Sequence, residues 1–263
     1  MGDNGRKNSN DIWLAGVDGC RAGWIVAFVR PAATEFVIRV VERFSDLIAA
    51  SENPAVIAVD IPIGLPDRSG HGGRAAENAV RPLLGKRQSS VFSVPSRAAI
   101  YAETGPFADM SSAYAAHRRC SEVGRTTSDP PRGVSIQSFM IFPKIREVDG
   151  CLREVPAAAA RVFEVHPEVA FWRLNGERAL SEPKKKKGRP YPPGMSLRRD
   201  LLAAAGLTSE ILTLATPRGA GEDDLLDALA CAVIARRIHA GIARPFPDPP
   251  PVDSYGLPMA IWA

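Results

Sequence analysis

The sequence predicts an α/β domain built on a mixed five-stranded sheet flanked by helices. Three observations carry this expectation. Trp13–Val17 and Trp24–Val29 are apolar runs on either side of Asp18-Gly19-Cys20-Arg21-Ala22-Gly23, and two such runs around a glycine-containing turn read as a β-hairpin. Ala55–Ile61 is apolar up to Asp60 with no polar alternation, the pattern of a strand buried on both faces. Asp223–Ala240 carries Leu225, Leu226, Leu229, Val233 and Ile234 as an apolar stripe at helical spacing.

The remaining elements follow in order. Residues 1–11 are polar and read as a disordered leader. Phe36–Val41, rich in β-branched residues, predicts a third strand. Ser45 caps a short helix through about Ala50, and Asn53-Pro54 ends it. A strand reached through the crossover helix is expected to run parallel to the first strand. Strand, strand, strand, helix, strand is the order an RNase H-like sheet needs. A helical insertion is expected around 65–150, with helices near 73–84, 107–122 and 137–148 between the loop signals Gly70–Gly73 and Pro130–Gly133. Ala157–Val165 predicts a short strand, and Pro167 opens a helix through Leu174. Ser181–Gly194 is a Lys-, Pro- and Gly-rich surface loop, and Leu197–Ala205 a helix ended by Gly206. Residues 12–244 thus read as a single domain, and 245–263 as an extended Pro-rich tail.

Composition narrows the function classes. With a formal net charge of +4 and a pI near 9.0, the chain suits a polyanionic partner without requiring one. Cys20, Cys120, Cys151 and Cys231 are far apart and form no CxxC pair, which argues against a cysteine zinc site or a disulfide framework and for reduced thiols in a cytoplasm. No stretch approaches the ~20 apolar residues of a membrane span, and the first residues lack the apolar run of a signal peptide.

Asp18 and Asp60 stand at the ends of buried strands. An ionised carboxylate beside a hydrophobic core is costly unless it is paired or holds a cation, although aspartate also favours turns. Glu222, Asp223, Asp224 and Asp227 open the last helix, with Asp224 and Asp227 three residues apart on one side. Acids in a first turn also complement the helix dipole, and Asp223 could be a cap. Asp227 is the unusual member, because it is flanked by stripe residues. Three or four carboxylates from two strands and a helix suit Mg²⁺ or Mn²⁺, and two such ions about 3.5–4 Å apart can drive phosphodiester cleavage. His71, His117, His166 and His239 offer no His-rich alternative. Glu164 and His166 could complete the cluster, His166 as a proton shuttle, or could form a hydrogen-bonded strand end. Lys184, Lys185, Lys186, Lys187 and Arg189, with Lys144 elsewhere, could contact a phosphate backbone or form solvated faces. Phe92, among several arginines, could stack on a base or sit in the core.

Four segments resemble a known family. Gly16-Val17-Asp18-Gly19-Cys20-Arg21-Ala22-Gly23-Trp24, Asp60-Ile61-Pro62-Ile63-Gly64-Leu65, Phe163-Glu164-Val165-His166-Pro167-Glu168 and Asp223-Asp224 through Asp227-Ala228 are similar, in this order, to motifs of the domain of unknown function 429 family. The resemblance covers about residues 13–240 and implies an RNase H-like fold with metal-dependent nuclease activity. It extends to RuvC-like resolvases, where a first-strand Asp-Gly, a fourth-strand acid and a last-helix Asp-x-x-Asp-Ala-Leu-Ala match Asp18, Asp60, Asp224 and Asp227. The fourth-strand acid of the resolvases is usually Glu; here it is Asp60, one bond shorter. The resemblance, like the basic loop, points to a nucleic acid partner, DNA or RNA, and a homodimer follows from the resemblance alone. A phosphotransferase of the actin-like ATPase superfamily would need a second acidic first strand, which this sequence lacks. A non-catalytic nucleic-acid-binding module stays open.

Overall fold

A computed structural model describes residues 12–32 and 35–263, so the leader expected at 1–11 lies outside the described residues. The chain divides into two compact units, which we call the sheet unit and the helical unit. The sheet unit runs to Asp60 and resumes over 160–244 and 262–263; the helical unit takes 61–159 and 245–261.

The sheet unit opens with β1 (Leu14–Cys20), β2 (Gly23–Val29) and β3 (Phe36–Val41), an antiparallel meander. The hairpin and third strand therefore form where the apolar runs place them. A short helix, α1 (Phe44–Ile48), follows. It starts one residue before the expected cap: Arg43 is the N-cap, and the Asp46 carboxylate accepts the Arg43 amide at 3.1 Å. Phe44 sets this start, because its buried ring packs edge-on against Trp24 with centroids 5.4 Å apart. Then β4 (Val56–Val59) joins β1 in parallel.

The helical unit holds α2 (Ala75–Val80), α3 (Arg97–Tyr101), α4 (Met110–Thr126), α5 (Ile136–Met140), α6 (Phe142–Glu154) and α7 (Pro156–Ala159). The helix expected at 73–84 shortens to α2 and passes into 3₁₀ turns over Arg81–Ser90, where Pro82 and the positive φ of Gly85 (50°) break the α pattern. The helix expected at 107–122 is shifted, because Asp109 caps α4 at the Ser112 amide, 2.7 Å away. The one expected at 137–148 splits into α5 and α6 ahead of Pro143. Within this unit Arg97 bridges Asp149 (2.5 Å) and Asp253 (2.7 Å), and Leu257, Ala260 and Ile261 are buried, so the Pro-rich segment is packed down.

The chain then returns to the sheet unit as β5 (Val162–Glu164), parallel to β4, and completes a five-stranded mixed sheet of order β3-β2-β1-β4-β5. The strand expected over Ala157–Val165 is shorter than predicted, because Pro156 and the alanines after it take the helical turn α7. Next come α8 (Pro167–Leu174), the two-residue strands β6 (Lys185–Lys186) and β7 (Arg189–Pro190), α9 (Pro192–Ala204), α10 (Ser209–Leu212) and α11 (Glu222–His239). The basic loop is thus a small hairpin. Its turn residues Lys187 and Gly188 both have positive φ (51° and 75°), the type I′ arrangement. The helix α9 begins well before Leu197, at Pro192-Pro193, whose fixed φ suits a first turn.

The helix α11 packs across β1, β2 and β4, flanked by α8 and α9. Gly16 makes this possible. A Cβ there would overlap the Ala232 amide nitrogen and the Ala228 carbonyl oxygen, so only glycine lets the helix backbone rest on the strand.

Candidate metal centre

The pleat delivers the first acid. Side chains two apart on a strand share a face, so Asp18 points to the side on which Gly16 meets α11. The parallel register pairs Val17 with Val59, which sets Asp60, just past β4, beside Asp18; the Asp60 amide donates to the Val17 carbonyl at 2.9 Å. Asp227 comes from the second turn of α11. One carboxylate oxygen from each of Asp18, Asp60 and Asp227 lies within 4.8 Å of the other two. Asp18 and Asp227 are 8% and 1% exposed, so this is a group drawn out of water that could hold a metal ion.

Burial is the largest cause of the raised carboxyl pKa at each of the three acids. Burial pushes the Asp18 carboxyl well above the carboxylate range, and Asp60 and Asp227 add to the shift. Burial lifts Asp60 to about 6; His166 and Lys184 oppose that rise and Asp227 adds to it. Asp227 is also raised by burial, although the Lys184 ammonium works against it. Lys184 is the local cation. Its Nζ bonds Asp227 Oδ2 and lies 3.8 Å from Asp223 Oδ2. Burial disfavours its charge, but Asp227, Asp18 and Asp60 outweigh that and raise its pKa above the usual lysine value. Cys231, one turn beyond Asp227, is held protonated, because burial and then the nearby acids push its thiol well up. The donors are therefore hard oxygens, the set that Mg²⁺ and Mn²⁺ prefer.

A second buried pair backs the group. Arg198, fully buried, bonds Glu168 Oε1 and donates to the Gly194 carbonyl at 3.0 Å. Glu168 acts electrostatically on both Asp60 and Asp227, and its Oε2 is buried with no hydrogen-bond partner among the described residues. A buried carboxylate oxygen left without a hydrogen bond is a further hard donor that a cation or its water could satisfy.

A family model described as a protein of unknown function, DUF429, matches residues 16–252. The chain belongs to this family. Neither a curated protein nor a solved structure matches the chain.

The interval matched by DUF429 contains every acid of the centre, but the structure does not gather all the expected residues there. Asp224 departs from the four-acid expectation: its Oδ2 accepts the Gly221 amide at 2.8 Å, so it caps α11 and lies outside the group of three. Glu164 pairs in register with Val59, and the pleat turns it to the face opposite Asp60. His166 is the N-cap of α8, its Nδ1 accepting the Glu168 amide at 3.2 Å, and it lies close enough to Asp60 to favour its ionised form. Lys184, expected to face nucleic acid, is inside the centre. Lys185 pairs with Asp223 at 2.6 Å, and Lys186 lies 3.5 Å over the Tyr191 ring. Lys187 and Arg189 are exposed on the hairpin. Lys144 belongs to α6 in the helical unit. Glu168 and Arg198 were not expected in this role; the one signal for Glu168 was its place at the end of the Glu164–Glu168 motif.

One expected result follows from Asp60. Its pKa in the folded protein is about 6 against an ordinary 3.8. A carboxyl raised on folding contributes stability that is complete below about pH 4 and is lost as pH rises through about 6. In metal-free protein, Asp60→Asn should therefore gain stability relative to wild type between these limits. Denaturant midpoints in chelator across that range measure it, and parallel curves for the two proteins would contradict it.

Proposed function

We propose that this protein is a metal-dependent nuclease that hydrolyses phosphodiester bonds of nucleic acid, on a sheet of RNase H-like order. The observation that carries this reading is the convergence of Asp18, Asp60 and Asp227, one carboxylate oxygen of each within 4.8 Å of the others. The strand order β3-β2-β1-β4-β5 supports the fold assignment.

With all three ionised, the carboxylates would outnumber the Lys184 ammonium, and the remainder would be offset by a divalent cation. Asp18, Asp60 and Asp227 would hold it. A bound Mg²⁺ or Mn²⁺ supplies Lewis acidity and lowers the pKa of a coordinated water. The chain's own residues do the rest. Lys184 supplies a fixed positive charge beside Asp227, and with its side chain 33% exposed it can also meet a phosphate oxygen. Arg198 fixes Glu168 behind the acids, and His166 favours ionised Asp60. Lys187, Arg189 and Lys144 are the proposed backbone contacts, and their effect would weaken with salt.

Calorimetric titration of wild type and Asp18→Asn/Asp60→Asn with Mg²⁺ and Mn²⁺ tests the site, and cleavage of DNA and RNA substrates by both proteins tests the chemistry. The expected result is binding near one ion per chain and metal-dependent cleavage in wild type, both lost in the double variant. The Lys184–Asp227 ion pair favours one other reading, a binding module whose acids are structural. Wild type that binds no divalent ion, with or without nucleic acid, would establish that reading instead.

A further inference from the structure

The helical unit contains a cleft of about 500 Å³ between the Gly70–Gly73 loop, the segment 88–95 and the 128–135 loop. That size suits a small ligand of a few rings. Its chemistry is one-sided. Arg81, Arg132 and His71 line it, and no carboxylate is found among its described lining residues. Arg81 spends its hydrogen bonds on neutral acceptors: Nε donates to the Val91 carbonyl (3.1 Å), Nη1 to Asn78 Oδ1 (3.0 Å) and Nη2 to Ser93 Oγ (3.1 Å). Its guanidinium is oriented, and none of these partners neutralises its charge. Burial lowers the Arg81 pKa; Glu77 opposes this, and the nearby Arg132 charge adds to it. Arg132 is exposed, and the structure gives its guanidinium no carboxylate partner among the described residues.

Two arginines facing one space repel each other, and an anion between them relieves that repulsion. The walls are adapted to the same end. Gly72 has φ 80°, and a Cβ there would be 2.9 Å from Arg81 Nη1, so the glycine loop closes directly on the guanidinium. The Arg132 amide donates to Ser128 Oγ at 2.7 Å, which fixes the loop that carries the second arginine. Phe92, half-buried rather than in the core, gives one wall an aromatic surface.

We propose that this cleft binds a nucleoside monophosphate, with the phosphate between Arg81 and Arg132 and the base against Phe92. Arginine pairs bind phosphate oxygens through charge-assisted hydrogen bonds, and an aromatic face stacks any base. The site lies within the helical unit and does not depend on the metal centre of the sheet unit.

The test is calorimetric titration of the full chain, in chelator, with AMP, UMP, inorganic phosphate and adenosine. Wild type should bind both monophosphates more tightly than either phosphate or adenosine. Arg132→Ala, an exposed position whose loss leaves the packing intact, should weaken monophosphate binding about tenfold or more, and Phe92→Ala should reduce the advantage of AMP over phosphate. Asp18→Asn/Asp60→Asn should bind AMP as wild type does, which separates this site from the proposed nuclease centre. Unchanged AMP affinity in Arg132→Ala, or no binding by folded wild type at millimolar AMP, would overturn the proposal. Phosphate bound as tightly as AMP would reduce the site to an anion site and overturn the base contact.

Discussion

Gly16→Ala should lower the stability of the sheet unit by more than about 3 kcal/mol, the upper range for overpacking a core. The added methyl would meet backbone atoms, the Ala232 amide nitrogen and the Ala228 carbonyl oxygen, and not the yielding end of a side chain. Relief requires α11 to lift off β1, and α11 covers β1, β2 and β4 together. The helix that lifts also carries Asp227, so the change should weaken divalent-ion binding along with stability. Gly150→Ala is the matched control. Gly150 sits inside α6, where an added Cβ would meet nothing within 4 Å among the described residues, and there alanine should stabilise by about 0.5–1 kcal/mol. Urea midpoints for the two variants give the comparison. A Gly16→Ala protein as stable as wild type would mean that the helix does not rest on the strand as described.

The second large effect is expected from Lys184→Met, which keeps an unbranched apolar stem and removes the ammonium and its charge. The ammonium bonds Asp227, itself 1% exposed, and its charge acts on Asp18 and Asp60. Breaking a fully buried pair costs about 3–5 kcal/mol; because Lys184 keeps a third of its side chain in water, roughly 2 kcal/mol is the appropriate figure here. That loss should be greatest at alkaline pH in chelator and shrink as pH falls, because protonation of Asp227, Asp18 and Asp60, all raised by burial, removes the charge the lysine was balancing. Mn²⁺ should restore more stability to the variant than it adds to wild type, since lysine and metal neutralise the same acids. Unfolding curves at two pH values, with chelator and with MnCl₂, decide it. Equal losses under all four conditions would show that Lys184 acts by packing alone.

Much of the sheet unit could be read in the sequence because its signals are local. The runs 14–17 and 24–29 around a turn, the apolar 56–59 and the stripe of α11 each declare an element without knowledge of distant residues. Asp18, Asp60 and Asp227 were visible for the same reason, as acids set against apolar neighbours. What was not visible depends on contacts across the fold. Four consecutive lysines read as a surface run, solvated or facing a phosphate backbone; only the hairpin at Lys187-Gly188 and the packing of Gly194 under Pro183 send Lys184 inward while Lys187 stays out. Asp224 and Asp227 share a helix side on spacing alone, yet Asp224 lies in the first turn, where a free backbone amide claims it. Arg198, fully buried in α9, looks like any helical arginine until Glu168 is placed opposite it. In the helical unit, short helices broken by Pro82, Gly85 and Pro143 defeat any periodicity count.

The order in which the chain visits the sheet also has a kinetic meaning. After Asp60 the polypeptide leaves, builds the helical unit over 61–159, and only then returns to lay β5 against β4 and α11 across β1. The acids at positions 18 and 60 are close neighbours early, but the third arrives at 227. Closing so long a loop before any contact rewards it makes this the slow, entropy-limited stage of folding. On the proposed reading, cation capture is a late event in the life of each molecule, because a nascent or truncated chain lacking α11 has two of the three acids. The rate at which Mn²⁺ becomes bound during refolding should therefore track the last structural phase and none of the earlier ones.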